Sequence, residues 1–181
     1  MNSTATTHYP AAPASQGEES RTLCVLVDNE PGVLARVIGL FSGRGYNIDS
    51  LTVSETEHEK HLSRITIVTR GTPMVIEQIK NQLERLVPVH RVVDLTGGGP
   101  ALERELAMVK VRGRGEHRME ALRLADAFRA RVIDATNESF VFEITGASDK
   151  IESFVNLMVP LGLVEVSRTG VVAISRGPEG M

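Results

Sequence analysis

The groups best able to hold a small charged ligand are concentrated at Asp28-Asn29-Glu30-Pro31-Gly32. Polar residues and a proline together are helix-start signals. Leu34, Val37, Ile38 and Phe41 follow at i, i+3, i+4 and i+7, the apolar spacing of one helix face. A helix beginning at this turn offers free backbone N–H groups and the positive end of its dipole, which suit an anion such as a carboxylate. Gly32 has no Cβ, so a ligand can approach the backbone closely there. Asn29 and Asn47 add amide donors and acceptors for the two charged ends of an amino acid. The same residues also suit a tight turn in which Pro31 and Gly32 serve geometry alone. A single glycine at a helix start leaves both readings open.

The remaining chemistry-bearing residues do not combine into a catalytic set; there is no serine elbow and no paired cysteine and histidine. His58 and His61, beside several glutamates, invite a metal reading. No cysteine or third histidine lies close by, so no metal site is expected. His90 stands beside Arg91 at the start of a strand with no evident partner, and His117 lies in a basic turn, GRGEHR. Arg112, Arg114 and Arg118 read either as a phosphate or acidic-surface contact or as a solvated loop. Cys24, the one cysteine, falls inside an apolar strand, where a buried structural thiol is expected rather than a nucleophile. It can form no internal disulfide, which fits a reducing, cytoplasmic setting. A net charge of −3 and a pI near 6.0 give no basic field for nucleic acid. Aromatics at 4% with no tryptophan leave few platforms for stacking bases. No apolar run approaches the ~20 residues of a membrane span.

The elements that would position the turn follow from the hydrophobic pattern. Residues 23–27 form an apolar run of strand length before the turn, and Gly43 and Gly45 end the helix after it. Tyr46-Asn47-Ile48 starts a second extended segment, and residues 48–54 alternate as a half-buried strand does. A charged connection, 55–61, leads to a strand at 62–68. Thr72 as N-cap and Pro73 at the first position start a second helix with the stripe Ile76, Ile79, Leu83 and Leu86. A strand at 87–95 closes the half. The triple glycine at 97–99 lacks the Lys-Ser/Thr of a phosphate loop and reads as a linker.

The order then repeats. A strand at 106–111, a glycine- and arginine-bearing turn at 112–118 and a helix at 119–128 come first. Strands at 130–135 and 139–145 follow, then a helix with the stripe Ile151, Phe154, Val155 and Met158. Segments 164–167 and 171–175 read as a closing hairpin around Arg168-Thr169-Gly170. Both halves are therefore α+β, two ferredoxin-like βαββαβ domains in tandem. The expected divisions are a disordered tail at 1–20, a first domain at 21–97, a linker at 98–103, a second domain at 104–177 and a short tail at 178–181. One face of each antiparallel sheet is left without a helix, so association with another chain is expected.

DNEPGVLARVIGLFSGRGYNIDSLTV followed by LSRITIV resembles an ACT domain, and more specifically that of the small regulatory subunits of acetolactate synthase (acetohydroxyacid synthase). ELAMVKV and RTGVVAISRG resemble the second domain of those subunits, so the likeness runs from about residue 21 to 177. The N-terminal tail departs from the compact start common in the family. The resemblance implies a chain that does no chemistry and carries no cofactor. Its partner would be the large catalytic subunit, with thiamine diphosphate, Mg²⁺ and FAD, which joins pyruvate to pyruvate or 2-oxobutyrate. The small subunit would activate that partner and confer feedback inhibition by valine or another branched-chain amino acid. It further implies a homodimer through the ACT domains with the effector between them. The family's site elements fall on Asn29 and Gly32 at the turn and on Asn47 at the second strand. Glu30 and Pro31 complete the turn. The amides of Gly32, Val33 and Leu34 would receive the effector carboxylate, and Asn47 and Ile48 would close the pocket from the other protomer. The competing expectation is a stand-alone ACT-domain amino-acid sensor acting on another enzyme or on gene expression.

Overall fold

Two βαββαβ units make up the chain in this computed structural model, which describes residues 17–57, 61–97, 99 and 101–181. The first unit runs β1 (Glu19–Asp28), α1 (Val33–Arg44), β2 (Ser50–Glu57), β3 (Leu62–Gly71), α2 (Pro73–Glu84) and β4 (Val89–Asp94). The second runs β5 (Ala101–Arg112), α3 (Gly115–Ala127), β6 (Arg131–Ala135), β7 (Ser139–Gly146), α4 (Ser148–Met158), a 3₁₀ turn (Val159–Leu161), β8 (Leu163–Arg168) and β9 (Val172–Ser175). The sheets are antiparallel, in the orders β2-β3-β1-β4 and β6-β7-β5-β8, with β9 pairing β5 as well.

Each core forms where the strand and helix periods agree. Leu23, Val25 and Val27 alternate onto one face of β1 and meet Val33, Val37 and Phe41 of α1 and Ile76, Ile79 and Leu83 of α2. Thr72 Oγ1 accepts from Val75 N at 3.4 Å with Pro73 behind it, so α2 starts where the sequence signals place it. In the second unit Ala107, Val109 and Val111 of β5 meet Phe140, Phe142 and Ile144 of β7 under Ile151, Phe154 and Met158 of α4.

Several elements differ from the sequence expectation. The stripe Leu34, Val37, Ile38 and Phe41 divides. Val33, Val37 and Phe41 are buried, while Leu34 and Ile38 keep 37% and 38% of their surface exposed. At roughly 100° per residue the two exposed side chains lie on the flank of the buried face. α3 starts at Gly115, so residues 115–118 of the expected turn are helical. β1 starts at Glu19, inside the stretch expected as tail, and residues 1–16 lie outside the described residues. β5 starts at Ala101 rather than Leu106, so residues 101–103 of the expected linker belong to a strand.

The closing hairpin is the largest correction. β8 pairs with residues 107–111 of β5 and β9 with residues 101–104 of the same strand, both antiparallel. They form one path along a single edge of β5, broken at 169–171. The long β5 offers a second stretch of edge beyond the first, and the apolar pattern cannot distinguish that partner from a hairpin mate. The start of β5 and β9 form a two-stranded arm on the face of the first sheet away from its helices. There Cys24, Leu95 and Ala173 are buried together, with Val93, Ala101 and Met181 around them. Cys24 is the buried structural thiol expected, with Arg64 Nε donating to its Sγ at 3.3 Å.

The helix-free face of the second sheet carries Met108, 44% exposed, beside the ion pair Lys110–Glu165. The hydrogen bond from Lys110 Nζ to Glu165 Oε2 at 2.8 Å, and the ammonium charge, hold the Glu165 carboxyl below its ordinary range and the Lys110 ammonium above its own. The pair's contribution is present above the ordinary carboxylate pKa and is lost as pH falls through the lowered one. It is lost at the alkaline end as pH rises through the raised lysine value. Solvent screens this exposed pair, so Lys110→Met is expected to leave the urea midpoint at neutral pH almost unmoved.

Candidate functional site

Asp28 to Gly32 are held by both neighbours of β1. Asp28 N donates to Pro88 O at 3.0 Å and Asn29 N to His61 O at 2.7 Å. His90 Nε2 lies 2.6 Å from Asp28 Oδ1, a partner that no local pattern in the sequence pointed to. Past the turn Val33 N donates to Glu30 O at 3.4 Å, and Gly32 O accepts Arg36 N at 3.1 Å. Gly32 is the N-cap of α1 at φ 88°, a left-handed backbone that favours glycine. A Cβ built on it meets nothing within 4 Å, so the space beside Gly32 is open. Among the described residues no side chain caps this end, and its first turn carries no acid. The positive end of α1 therefore faces solvent without compensation.

The eight expected site residues divide by environment. Asn29, Glu30, Pro31 and Gly32 are exposed, as is Leu34. The Val33 side chain is in the core, so only its N–H faces the turn. Asn47 is exposed; its Nδ2 donates to Asp49 Oδ1 at 2.5 Å and its carbonyl accepts Thr69 Oγ1 at 2.6 Å. Ile48 packs half-buried against the first core. Asn47 follows the C-terminal end of α1, whereas Gly32 precedes its N-terminal end. The 12 residues of the helix separate the two ends by about 18 Å. One chain does not bring Asn47 to Gly32.

Of the other candidates, Arg112 and Arg114 both pair with Glu138, the first at 3.8 Å, and the Arg118 guanidinium lies 3.8 Å from the centre of the Phe140 ring. Arg112 and Arg114 nevertheless remain largely exposed. His58 lies outside the described residues, and His61 is exposed at φ 52°. No group of three metal-ligating side chains occurs among the described residues.

The sequence reading missed a cleft of about 830 Å³ between the two units. Asp49, Ser50 and Arg70 line it from the first unit, and Glu105, Arg168 and Gly170 from the second. Glu105 is only 4% exposed and receives Arg168 through Nη2 to Oε1 and through Nε to Oε2 at 3.3 Å. Arg168 Nη1 also reaches Glu152 Oε2 of α4 at 3.0 Å. Charge assistance from Glu105 first, and then Glu152, outweighs burial and raises the Arg168 guanidinium further above its ordinary range. A signal was available: Glu105 sits in phase with the buried positions Ala107, Val109 and Val111.

Two family models match the chain. "AHAS small subunit-like ACT domain" covers residues 23–91, and "Small subunit of acetolactate synthase" covers residues 104–177. A probable acetolactate synthase small subunit of Archaeoglobus fulgidus is 47% identical over 156 residues, 86% of this chain and 96% of that one. The acetolactate synthase isozyme 3 small subunit of Salmonella typhimurium is 48% identical over 162 residues, 89% of this chain and 98% of that one. The crystal structure of the acetolactate synthase small subunit from Thermotoga maritima superposes with a TM-score of 0.80 at 40% identity, covering 89% of this chain and 99% of that one.

Proposed function

The chain belongs to the family of acetolactate synthase small subunits, and on that premise we propose that it is the regulatory partner of a catalytic acetolactate synthase subunit in branched-chain amino-acid synthesis. It performs no chemistry itself. Thiamine diphosphate, Mg²⁺ and FAD belong to the catalytic subunit in this reading, and the assembly works in the cytoplasm. No helix among the described residues is long and apolar enough to cross a membrane.

The effector is valine, bound between two copies of this chain. The observation that carries this reading is the separation of Gly32 and Asn47 to opposite ends of α1. A pocket that uses both needs the helix start of one protomer and the Asn47–Ile48 corner of its partner. The surface around α1 suits a second copy. Leu34 and Ile38 form an exposed apolar pair one turn apart, and Val53 of the edge strand β2 is 45% exposed. In the pocket the amides at Gly32–Leu34, which no side chain caps and of which Val33 N bonds only the Glu30 carbonyl at 3.4 Å, receive the carboxylate, with Asn29 beside them. Leu34 and Ile48 flank the isopropyl group, and Asn47 offers an amide oxygen to the ammonium. Valine then favours one packing of the paired units, and inhibition follows from its differential affinity for the two packings.

The test is acetolactate formation by the catalytic subunit, with and without this protein, across a valine titration. Activation that valine reverses is expected. Gly32→Asp places a carboxylate over the helix start. The site has room for its Cβ, and Asp is among the residues that visit positive φ, so the backbone strain is about 1–2 kcal/mol and retained activation of the catalytic subunit reports that the variant is folded. Losing charge-assisted bonds of about 1.5–3 kcal/mol is expected to raise the half-inhibiting valine concentration by roughly tenfold or more, with activation kept. Unchanged inhibition in this variant would refute the site; absence of any effect on the catalytic subunit would return the free-sensor reading.

A further inference from the structure

We propose that Ser50 and Thr52 of β2, gripping Val171, form the joint through which occupancy of the effector pocket reaches the second unit; the proposal rests on the valine reading above. Val171 N donates to Ser50 Oγ at 2.9 Å, and Thr52 Oγ1 donates to Val171 O at 2.8 Å. Both backbone groups of one residue are thus held by two hydroxyls on one face of β2, which fixes orientation as well as distance. Val171 is only 6% exposed. Gly170, at φ 84°, lies flat against β2: a Cβ there would stand 2.7 Å from Ser50 Oγ and 3.0 Å from Thr52 Cγ2. This is the break between β8 and β9, so the first unit holds the second at its point of interruption.

On its far side the break is tied into the second unit. Thr169 N donates to Leu106 O at 3.0 Å and Leu106 N to Thr169 Oγ1 at 3.1 Å, while Arg168 binds Glu105 of β5 and Glu152 of α4. On its near side Ser50 follows the Asn47–Ile48 corner by one turn of chain. Asn47 is bonded to Asp49, and Asp49 accepts Arg70 Nε at 2.6 Å. A shift of that corner on ligand binding moves the start of β2, and the two hydroxyls carry it to Val171. The cleft of about 830 Å³ beside the joint gives the two units room to change their relative packing. The two hydroxyl bonds at Val171 can exchange one arrangement for another, while the apolar contact of Cys24, Leu95 and Ala173 beside them stays packed and acts as the pivot.

The test is a small subunit carrying Ser50→Ala and Thr52→Val together, assembled with its catalytic subunit. Valine binding to the small subunit is measured by calorimetry, and activation and valine inhibition are measured on the holoenzyme. The expected result is valine affinity within about threefold of wild type, activation retained, and inhibition weakened by roughly fivefold or more, the lower end of ordinary coupling strengths. Thr52→Ser with Ser50 intact keeps both hydroxyls and should restore wild-type inhibition. Wild-type inhibition in the double variant would overturn the proposal. So would parallel loss of binding and inhibition, since Ser50 and Thr52 would then belong to the pocket itself. If wild-type protein binds no valine, the effector reading fails first and the joint with it, which the calorimetry on wild type alone reveals.

Discussion

Replacing Phe154 with alanine is expected to cost about 3–5 kcal/mol of stability, read as a lower urea midpoint by circular dichroism. Phe154 is fully buried on α4 and sits between Phe128, at a ring-centre distance of 5.4 Å, and Phe142, edge-to-face at 6.0 Å. Truncation removes the ring's transfer energy and leaves a void that the surrounding β5, β7 and α3 side chains cannot all move to fill. Phe154→Leu keeps most of the volume and is expected to cost much less. If Phe154→Ala unfolded at the wild-type midpoint, the second core would not be organised around this cluster.

The second large effect concerns Arg168. Glu105 is nearly inaccessible, and the Arg168 fork supplies two of its hydrogen bonds. Arg168→Met strands a buried carboxylate at a cost of about 3–5 kcal/mol, the range for breaking one side of such a pair. Pairing that change with Glu105→Gln or Glu105→Leu removes the unpaired charge and should recover much of the loss. The diagnostic comparison is therefore single against double variant, measured by denaturant unfolding. Equal destabilisation in both would mean that Arg168 acts through packing of its stem rather than through Glu105. Arg168 also adjoins the joint at Val171, so the single variant should loosen valine inhibition even at temperatures where the protein remains folded.

The contrast between these two sites shows what local pattern can carry. Phe154 announces itself, because Ile151, Phe154 and Met158 recur at helical spacing and a helix with that stripe has one face to bury. Thr72-Pro73 likewise marks the start of α2, since capping chemistry is satisfied within four residues. Both βαββαβ orders, the core stripes of α2 and α4, the buried Cys24 and the turn at Asn29–Gly32 before a helix were legible for this reason: each depends on neighbours in sequence. The likeness to a known family was legible because whole motifs such as DNEPGVLARVIGLFSGRGYNIDSLTV keep their order and spacing.

The relations between distant segments were not. Periodicity states which face of a strand is buried and leaves its pairing partner open, so β9 reads as the hairpin mate of β8 although it pairs with the start of β5. The apolar stripe of α1 did not reveal that Leu34 and Ile38 stay exposed, because burial depends on where the sheet ends beneath the helix. Gly32 and Asn47 read as parts of one site, and only the length of α1 shows that a single chain holds them apart. The Glu105–Arg168 pair and the grip of Ser50 and Thr52 on Val171 bring together residues separated by 63 to 121 positions. Local chemistry along the chain determined the elements and the family. The tertiary structure decided which surfaces meet, because pairing and docking are selected by packing between segments whose separation no short-range pattern encodes.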